Sequence, residues 1–512
     1  MRKIYFLLFT LFSLLTLGAC EPNVTYIYEI NCEDQVTIDY DVTEAEIAYK
    51  LYYALDASSI SVKATANADW ITSVDVVPGA NNMGKVSITL EENSSVTSRT
   101  ATLTLTATSH APKKIKVIQY GAPSNNEANH TLMFVFLGTS LDRYYKTNIE
   151  DAKAAIQTGI LGNSNRIILF RQDSNTKAHI SELCYDPASE TCIERIIVNN
   201  IAVPSSQLMP EDLAQYISTM ATEAPAKRYG VVFAGHGQAW IPRETLKGSG
   251  GISAFGASFN EWTPAPGAEV TRAYGENNVQ CDIAELASAI EISGVELDYI
   301  LFDACFMSNI ESIYDLRNSA NYIIASPCEI MGRGFPYERT LPYLFVDNGM
   351  SSDYDGAAES YYKYYRDEYT GSSRCGSVAL INCNEVEELA HATKNVLESM
   401  TTGFYDRNEL QTYEGQNLHQ FFDFGEWVNK VATDDEALKA FNTQLAKTVV
   451  AKYSLESFYS AYGTYGTYPI NLDIYSGVTT SAPTEANDVY RYMCQTNWYQ
   501  YVWPQNSKEV IE

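Results

Sequence analysis

The chain has 512 residues, of which 63 are acidic and 35 are lysine or arginine, and its formal net charge of −28 argues against binding to nucleic acid. Its hydrophobic content of 46% is typical of a soluble globular protein. Roughly 490 residues follow the apolar N-terminal segment, too many for one small core, so the length predicts two or three domains.

The N-terminal segment reads MRKIYFLLFTLFSLLTLGAC and joins a short basic start to an apolar run. This run is too short to span a bilayer comfortably, which predicts a signal peptide over residues 1–19. Leu-Gly-Ala before Cys20 resembles the bacterial lipobox. The resemblance implies acylation of Cys20, a lipid-anchored tether over residues 20–32, and a lipoprotein of the bacterial outer membrane that faces the periplasm or the cell surface. The alternative is an ordinary signal peptide with a chance cysteine.

Residues 33–121 alternate apolar and polar side chains in short runs such as KVSITL and TATLTLTAT, separated by turns. This pattern predicts a small all-β, immunoglobulin-like sandwich. The segments ANADWITS, ENSSVTSRTATLTLTA and VIQYG resemble the BACON domain of bacterial surface proteins, which implies a spacer or a glycan-binding module. Trp70 either stacks on a sugar or packs between the sheets. A Gly- and Pro-containing linker is predicted over residues 122–130.

Residues 131–512 contain strands that are apolar on both faces and that alternate with helices. This order predicts an α/β domain with a mostly parallel sheet covered by helices on both sides. Ligands of such sheets bind beyond the carboxyl ends of the strands. The expected strands are TLMFVFLG, NRIILFRQ, IERIIVNN, RYGVVFAGHG, LDYILFDAC, NYIIASP and GSVALIN, whereas the tyrosine-rich FYSAYGTYGTYPINLDIYSG has no clear pattern.

The ten cysteines show neither CxxC spacing nor clustering with histidine, so the sequence predicts no metal site and no cofactor. Cys184 and Cys192 flank a turn-rich loop that favours a disulfide between them. Most of the others are expected to be small buried residues.

Two apolar strands end in side chains that can do chemistry. His236 and Gly237 follow GVVFA, and Cys305 follows LDYILFDA. A thiol attacks a carbonyl only as the thiolate, which a nearby imidazolium favours. The amides of Gly237 and Cys305 are candidates for an oxyanion hole. Each motif alone has a structural explanation, but the predicted topology brings both to one edge of the sheet.

GVVFAGHGQAW, LDYILFDACFMSNIES and NYIIASPCEIMGRGFPY together resemble the clostripain family of cysteine peptidases, which is related to caspases and gingipains. The resemblance covers roughly residues 130–505. It implies a caspase-like fold, a catalytic dyad of His236 and Cys305, and Gly237 in the oxyanion hole. In this group the histidine acts mainly as the acid that protonates the departing amine.

Asp303 lies two positions before Cys305 and therefore shares its face of an extended strand. In relatives that cleave after arginine or lysine, the matching acid binds the basic side chain of the substrate. The alternative is that Asp303 accepts amide hydrogens from a neighbouring loop. Arg333 stands near the position where a second acid is expected, so it would either neutralise Asp303 or repel a basic side chain.

The Pro- and Gly-rich stretch over residues 241–281 separates the two members of the dyad. Relatives often cut themselves near here, which makes Arg243, Lys247 and Arg272 candidate processing sites by analogy. Clostripain depends on calcium, but no EF-hand spacing is present and no ion is inferred.

The sequence thus predicts a lipid-anchored cysteine endopeptidase that acts on protein or peptide substrates and contacts the membrane through Cys20. The competing hypothesis is a surface adhesin that binds glycan or protein on a caspase-like scaffold without catalysis. The peptidase hypothesis requires the imidazole and the sulfur to meet at one rim of the sheet, with room for a polypeptide between them.

Overall fold

The computed structural model describes residues 28–52, 60–162, 164–205, 207–242, 268, 279–345, 352–400, 405–484, 490 and 492–503. The signal peptide, Cys20 and the candidate processing sites Arg243, Lys247 and Arg272 lie outside the described residues. The chain divides into two compact units, with the boundary between Ala122 and Pro123. This boundary falls at the start of the predicted linker.

The described part of the N-terminal unit is all β, as the alternating pattern predicts. Its eight strands are β1 Ile30–Asn31, β2 Gln35–Ile38, β3 Glu44–Leu51, β4 Val62–Ala66, β5 Ile71–Pro78, β6 Met83–Leu90, β7 Arg99–Ala107 and β8 Lys113–Gln119. They form two four-stranded sheets in the orders β1-β3-β6-β5 and β2-β8-β7-β4. Every second residue of β7 is buried, and side chains from both sheets share one core.

Trp70 is half-buried beside this core rather than fully enclosed by it. The guanidinium of Arg99 lies 4.6 Å from the centre of its ring, and the same side chain donates to the side-chain oxygen of Gln119 at 2.9 Å. A cation therefore occupies one face of the indole, which is the surface that a sugar would need for stacking.

The C-terminal unit contains a sheet that the described residues build from nine strands. These are β9 His130–Phe136, β10 Asn165–Ser174, β11 Lys177–Asp186, β12 Thr191–Ala202, β13 Tyr229–Ala234, β14 Leu297–Asp303, β15 Ala320–Ala325, β16 Ser377–Asn382 and, after one further strand, β18 Val449–Ser454. The spatial order is β12-β11-β10-β9-β13-β14-β15-β16-β18. The strands from β10 to β15 in this order are parallel, and antiparallel strands extend the sheet on both sides.

Helices cover both faces of this sheet and define two cores. The described helices are α1 Asp142–Gln157, α2 Pro210–Glu223, α3 Ile283–Ser293, α4 Ile310–Leu316, α5 Tyr337–Leu344, α6 Tyr354–Glu368, α7 Val386–Ser399, α8 Phe424–Val431, α9 Asp435–Thr448 and a last helix, Asn497–Val502. The first core packs the sheet against α1, α5 and α6, and the second packs it against the remaining helices. The predicted α/β class with a mostly parallel central sheet is confirmed.

Short elements complete the described chain. Strands β17 Phe422–Asp423 and β21 Thr479–Thr480 pair with each other, as do β19 Ser457–Ser460 and β20 Gly466–Pro469, and 3-10 turns cover Gly371–Ser373, Cys383–Glu385 and Arg407–Glu409. The tyrosine-rich segment forms the β19–β20 hairpin and packs several of its rings into the first core. In the described part of the chain, no helix combines the length and apolar character needed to cross a membrane.

Cys184 and Cys192 lie on the neighbouring strands β11 and β12 but are not direct partners, because Cys184 faces Ile193 and Cys192 faces Tyr185. Both remain thiols, so the structure does not contain the expected disulfide. Burial raises the pKa of each thiol to about 12, which keeps both protonated at neutral pH.

Candidate active site

The ends of β13 and β14 lie side by side. Ala234, the last residue of β13, pairs with Asp303, the last residue of β14, and the amide of Gly235 donates to the carbonyl of Asp303 at 3.4 Å. His236 and Cys305 each follow two residues later. The parallel register therefore brings both segments to the same carboxyl edge, as the sequence analysis expects.

Gly237 is pressed against the backbone of Cys305. A methyl group added at Gly237 would lie 2.3 Å from the carbonyl oxygen of Cys305 and 3.0 Å from its amide nitrogen. Real Cβ atoms do not approach backbone so closely, so only glycine fits at this position. The two proposed oxyanion donors consequently belong to segments that are in direct contact.

His236 is half-buried, and its Nε2 lies 3.1 Å from Oγ of Ser140. Ser140 is exposed and follows the carboxyl end of β9, which is the other neighbour of β13 in the sheet. Sequence reasoning missed this residue. The same rule that placed His236 and Cys305 at the carboxyl edge would have pointed to the loop after β9.

The thiol of Cys305 is enclosed in the first core and has 0% exposure. Its sulfur accepts a hydrogen bond from the amide of Ile330 at 3.1 Å. The expectation that this sulfur faces an open groove is therefore wrong for the described conformation, because the segment after β15 closes over it. The imidazole of His236 instead lines a cavity on the other side of the sheet edge.

Asp303 is fully buried and forms hydrogen bonds with the same segment, the one after β15 that covers Cys305. Its carboxylate accepts hydrogen bonds from the amide of Phe335 at 3.2 Å and from the hydroxyl of Tyr337 at 2.7 Å. This arrangement matches the structural alternative, in which Asp303 accepts amide hydrogens from a neighbouring loop. Arg333 forms an ion pair with Asp151 of α1, so its charge is compensated by a carboxylate other than Asp303.

Two residues beside the site adopt the left-handed backbone region that non-glycine residues rarely occupy. Ala239 has φ of 55° and Phe306 has φ of 61°. Phe306 is kept there by its amide, which donates to the carbonyl of Cys328 at 3.0 Å, and by its ring, which stacks on Phe421 at 4.8 Å. Strained backbone of this kind is concentrated at functional sites, where surrounding contacts maintain it.

The C-terminal segment fastens the loops that carry the site. Trp240 donates from its indole nitrogen to Oγ of Ser481 at 2.9 Å, and Ser308 donates to the carbonyl of Gly477 at 2.7 Å. The buried carboxylate of Glu311 accepts from the amide of Ser481 at 2.9 Å. Both site loops are thus tied to one C-terminal stretch of chain, the loop of Cys305 across about 170 positions and the loop of His236 across 241.

Comparisons with known proteins identify the family of the chain. The sequence matches the model of the clostripain family over residues 188–508 and that of BACON, a putative N-terminal binding domain, over residues 58–120. The chain belongs to the clostripain family. A search of curated proteins found no match.

Solved structures of this family cover about three quarters of the chain. A secreted C11 cysteine protease from Bacteroides thetaiotaomicron, "iotapain", is 30% identical, with a TM-score of 0.63 over 74% of this chain and 99% of its own. An inactive zymogen C11 protease from Parabacteroides distasonis is 27% identical, with a TM-score of 0.59 over 74% of this chain and 99% of its own. The clostripain-family chain therefore has the C11 protease fold, and its membership supports cysteine peptidase activity.

The clostripain-family chain shows no candidate metal centre in the part that the structure describes. There, no three or more His, Cys, Asp or Glu side chains are grouped so that they could hold an ion.

Proposed function

We propose that this protein is a lipid-anchored cysteine endopeptidase with a dyad of Cys305 and His236. The thiolate of Cys305 attacks the scissile carbonyl and forms a tetrahedral intermediate. As the C–N bond breaks, His236 gives a proton to the departing nitrogen, which leaves an acyl-enzyme. Water then attacks the thioester, releases the acid and restores the thiol.

The observation that carries the proposal is the contact between Gly237 and the backbone of Cys305. It supports a pair of amides that act together on the oxygen of the tetrahedral intermediate. Removing one donor of an oxyanion hole typically raises the barrier by about 3 kcal/mol, or about a hundredfold in rate.

The buried sulfur implies that the described conformation is closed and that catalysis requires an opening step. The segment from Ile330 to Tyr337 must move, because its amides and the Tyr337 hydroxyl hold both Cys305 and Asp303. The similar C11 protease from Parabacteroides distasonis is described as an inactive zymogen, which supports the idea that a protein of this fold needs an activating step. We propose that self-cleavage within residues 241–281 allows this segment to move.

We further propose that Asp303 receives the side chain before the scissile bond once this segment has moved. Asp303→Asn is expected to lower kcat/KM for a peptide with arginine at that position about tenfold more than for a matched leucine peptide, because a buried charge pair is lost. The variant keeps an acceptor for the Phe335 amide. Equal losses on both peptides would mean that Asp303 serves only the fold.

Ser140 is proposed to position the imidazole of His236. Ser140→Ala is expected to lower kcat about three- to tenfold with little change in KM, because one neutral hydrogen bond contributes about 1 kcal/mol. Ser140→Thr keeps the hydroxyl and should recover most of the rate. A variant that changes KM alone, or a threonine variant as slow as alanine, would contradict this role.

Cys20 is proposed to carry the lipid that holds the protein to the outer membrane, facing the periplasm or the cell surface. Cys20→Ser is expected to move the protein from the membrane fraction to the soluble fraction and to prevent incorporation of labelled fatty acid, because the acyl chains supply the membrane affinity. Cys32→Ser, which lies outside the lipobox-like sequence, is the matched control. Membrane association of the Cys20 variant would contradict the anchor.

The N-terminal unit is proposed to act as a spacer or binding module for the peptidase, with a glycan as one possible ligand. The cation over one face of Trp70 leaves at most the other face for such stacking. The competing adhesin function predicts ligand binding in a protein whose Cys305 never reacts with a peptide-based thiol probe.

A further inference from the structure

A cavity of about 110 Å³ opens at the edge of the sheet that carries the proposed active site. His236 and Gly237 lie among its lining residues. Strands β9, β13 and β14 and helices α2 and α3 supply its apolar walls, which include Val135, Phe233, Phe302, Leu213 and Leu286. In the proposed mechanism, His236 and Gly237 have roles, but the apolar residues that line the interior of the cavity have none.

The cavity and Asp303 lie on opposite faces of the sheet. Asp303 bonds to Tyr337 in the first core, whereas Phe302 and Ala304, its neighbours in sequence, line the cavity on the side of the second core. Successive side chains of an extended peptide also point to opposite sides. A substrate that crosses this edge with one side chain toward Asp303 therefore directs the next toward the cavity.

We infer that the cavity is the subsite for the residue that follows the scissile bond, and that it selects an apolar side chain of the size of leucine or methionine. The inference rests on the proposed function, in which His236 protonates the nitrogen of that same residue. Its side chain must accordingly lie beside the imidazole, and the cavity is the space that the imidazole lines.

Charge and size both favour this class of side chain. Among the described lining residues none is Asp, Glu, Lys or Arg, so a charged side chain would lose its water without gaining a carboxylate, ammonium or guanidinium partner. The volume is somewhat below the roughly 150 Å³ of a cavity that holds benzene. A branched or linear aliphatic side chain fits this space better than an indole does.

The experiment uses the full-length protein after any self-processing and a series of peptides that differ only after the scissile bond. Cleavage sites are confirmed by mass spectrometry. We expect kcat/KM for leucine or methionine to exceed that for aspartate or lysine by about tenfold or more, since matched apolar contacts in a pocket discriminate by about that amount. Glycine is expected to fall between these groups.

Two variants of helix α3 test whether the cavity causes the preference. Leu286 is 8% exposed and lines the cavity, and Leu286→Phe would fill part of it. This variant is expected to reduce the leucine-to-glycine ratio about fivefold or more while it still cleaves the glycine peptide, which shows that it folds. Ile292 lies on the same helix and is 52% exposed, so Ile292→Phe should leave the ratio unchanged.

The outcomes separate this inference from the proposed function. Cleavage that is indifferent to the residue after the scissile bond, or that prefers a charged one, overturns the subsite and leaves the peptidase intact. An unchanged ratio in the Leu286 variant also overturns it. Failure to cleave any peptide, together with an unreactive Cys305, overturns the proposed function and the subsite with it.

Discussion

Replacement of Cys305 by alanine is expected to abolish peptide hydrolysis, with a loss of at least about 10⁴-fold, because the nucleophile of the proposed mechanism disappears. The measurement is kcat/KM on the best peptide from a library digest, with the variant and the unaltered protein both cut within residues 241–281 by an added protease beforehand. Self-cleavage within residues 241–281 should stop as well, and mass spectrometry of the purified protein reports it directly.

The controls separate lost chemistry from lost structure. Alanine at position 305 leaves the amide of Ile330 without its sulfur acceptor, which costs about 1 to 3 kcal/mol in a buried site. Cys305→Ser retains an acceptor there and should be as inactive as alanine. Cys383, which directly follows β16, is buried like Cys305 and provides a matched control. Cys383→Ala should keep full turnover. Activity of the Cys305→Ser variant near that of the unaltered protein would exclude the mechanism.

Gly237→Ala is expected to lower kcat/KM about a hundredfold or more. Its methyl group would meet the Cys305 carbonyl oxygen at 2.3 Å, so the segments after β13 and β14 must separate. Separation displaces one of the two amides that are proposed to stabilise the oxyanion, and loss of one such donor has about this effect on rate. Peptide kinetics and thermal unfolding of the purified variant measure the change.

Gly235 offers the matched control, because it lies on the other side of His236 in the same segment. A methyl group there would lie 3.5 Å from the carbonyl oxygen of Leu137, which is ordinary contact. Gly235→Ala should therefore retain most of the activity. If the Gly237 variant were equally active, the two segments would not need to touch during catalysis, and the oxyanion assignment would fail.

Because the described conformation is closed, the proteins compared in these experiments must be in the same state of processing. Cys305 accepts from Ile330, and Asp303 accepts from Phe335 and Tyr337, so one segment seals both the nucleophile and the acid beside it. Kinetic comparisons are meaningful only between proteins in the same state of processing. For variants that keep Cys305, a peptide-based thiol probe, which counts exposed Cys305, supplies that normalisation.

Local sequence patterns determined most of the secondary structure. The segment CDIAELASAIEIS forms α3. This helix starts after Asp282, whose side chain and that of Glu285 form a capping box, and ends before Gly294 with φ of 69°. Runs that are apolar on both faces became the buried parallel strands. These features are predictable because capping and the period of burial depend on residues close together in the chain.

The sequence by itself also determined which two segments meet at the candidate active edge. Parallel strands that end in Ala234 and Asp303 must carry the next residues to the same carboxyl edge of the sheet, so the shared position of the segments that contain His236 and Cys305 follows without further information. The family resemblance added roles to these residues. It did not indicate whether the sulfur of Cys305 is exposed or buried.

Only the tertiary structure decided which distant groups complete the site. Ser140 beside His236, Ile330 over Cys305 and Asp151 opposite Arg333 are partners separated by 25 to 182 positions. The antiparallel strand β11 was likewise not predicted. This strand lies between β10 and β12, and its sequence has no periodic pattern of apolar residues that distinguishes it as a strand. Such contacts depend on how whole elements pack against one another, and a residue's own neighbours in sequence carry no record of that packing.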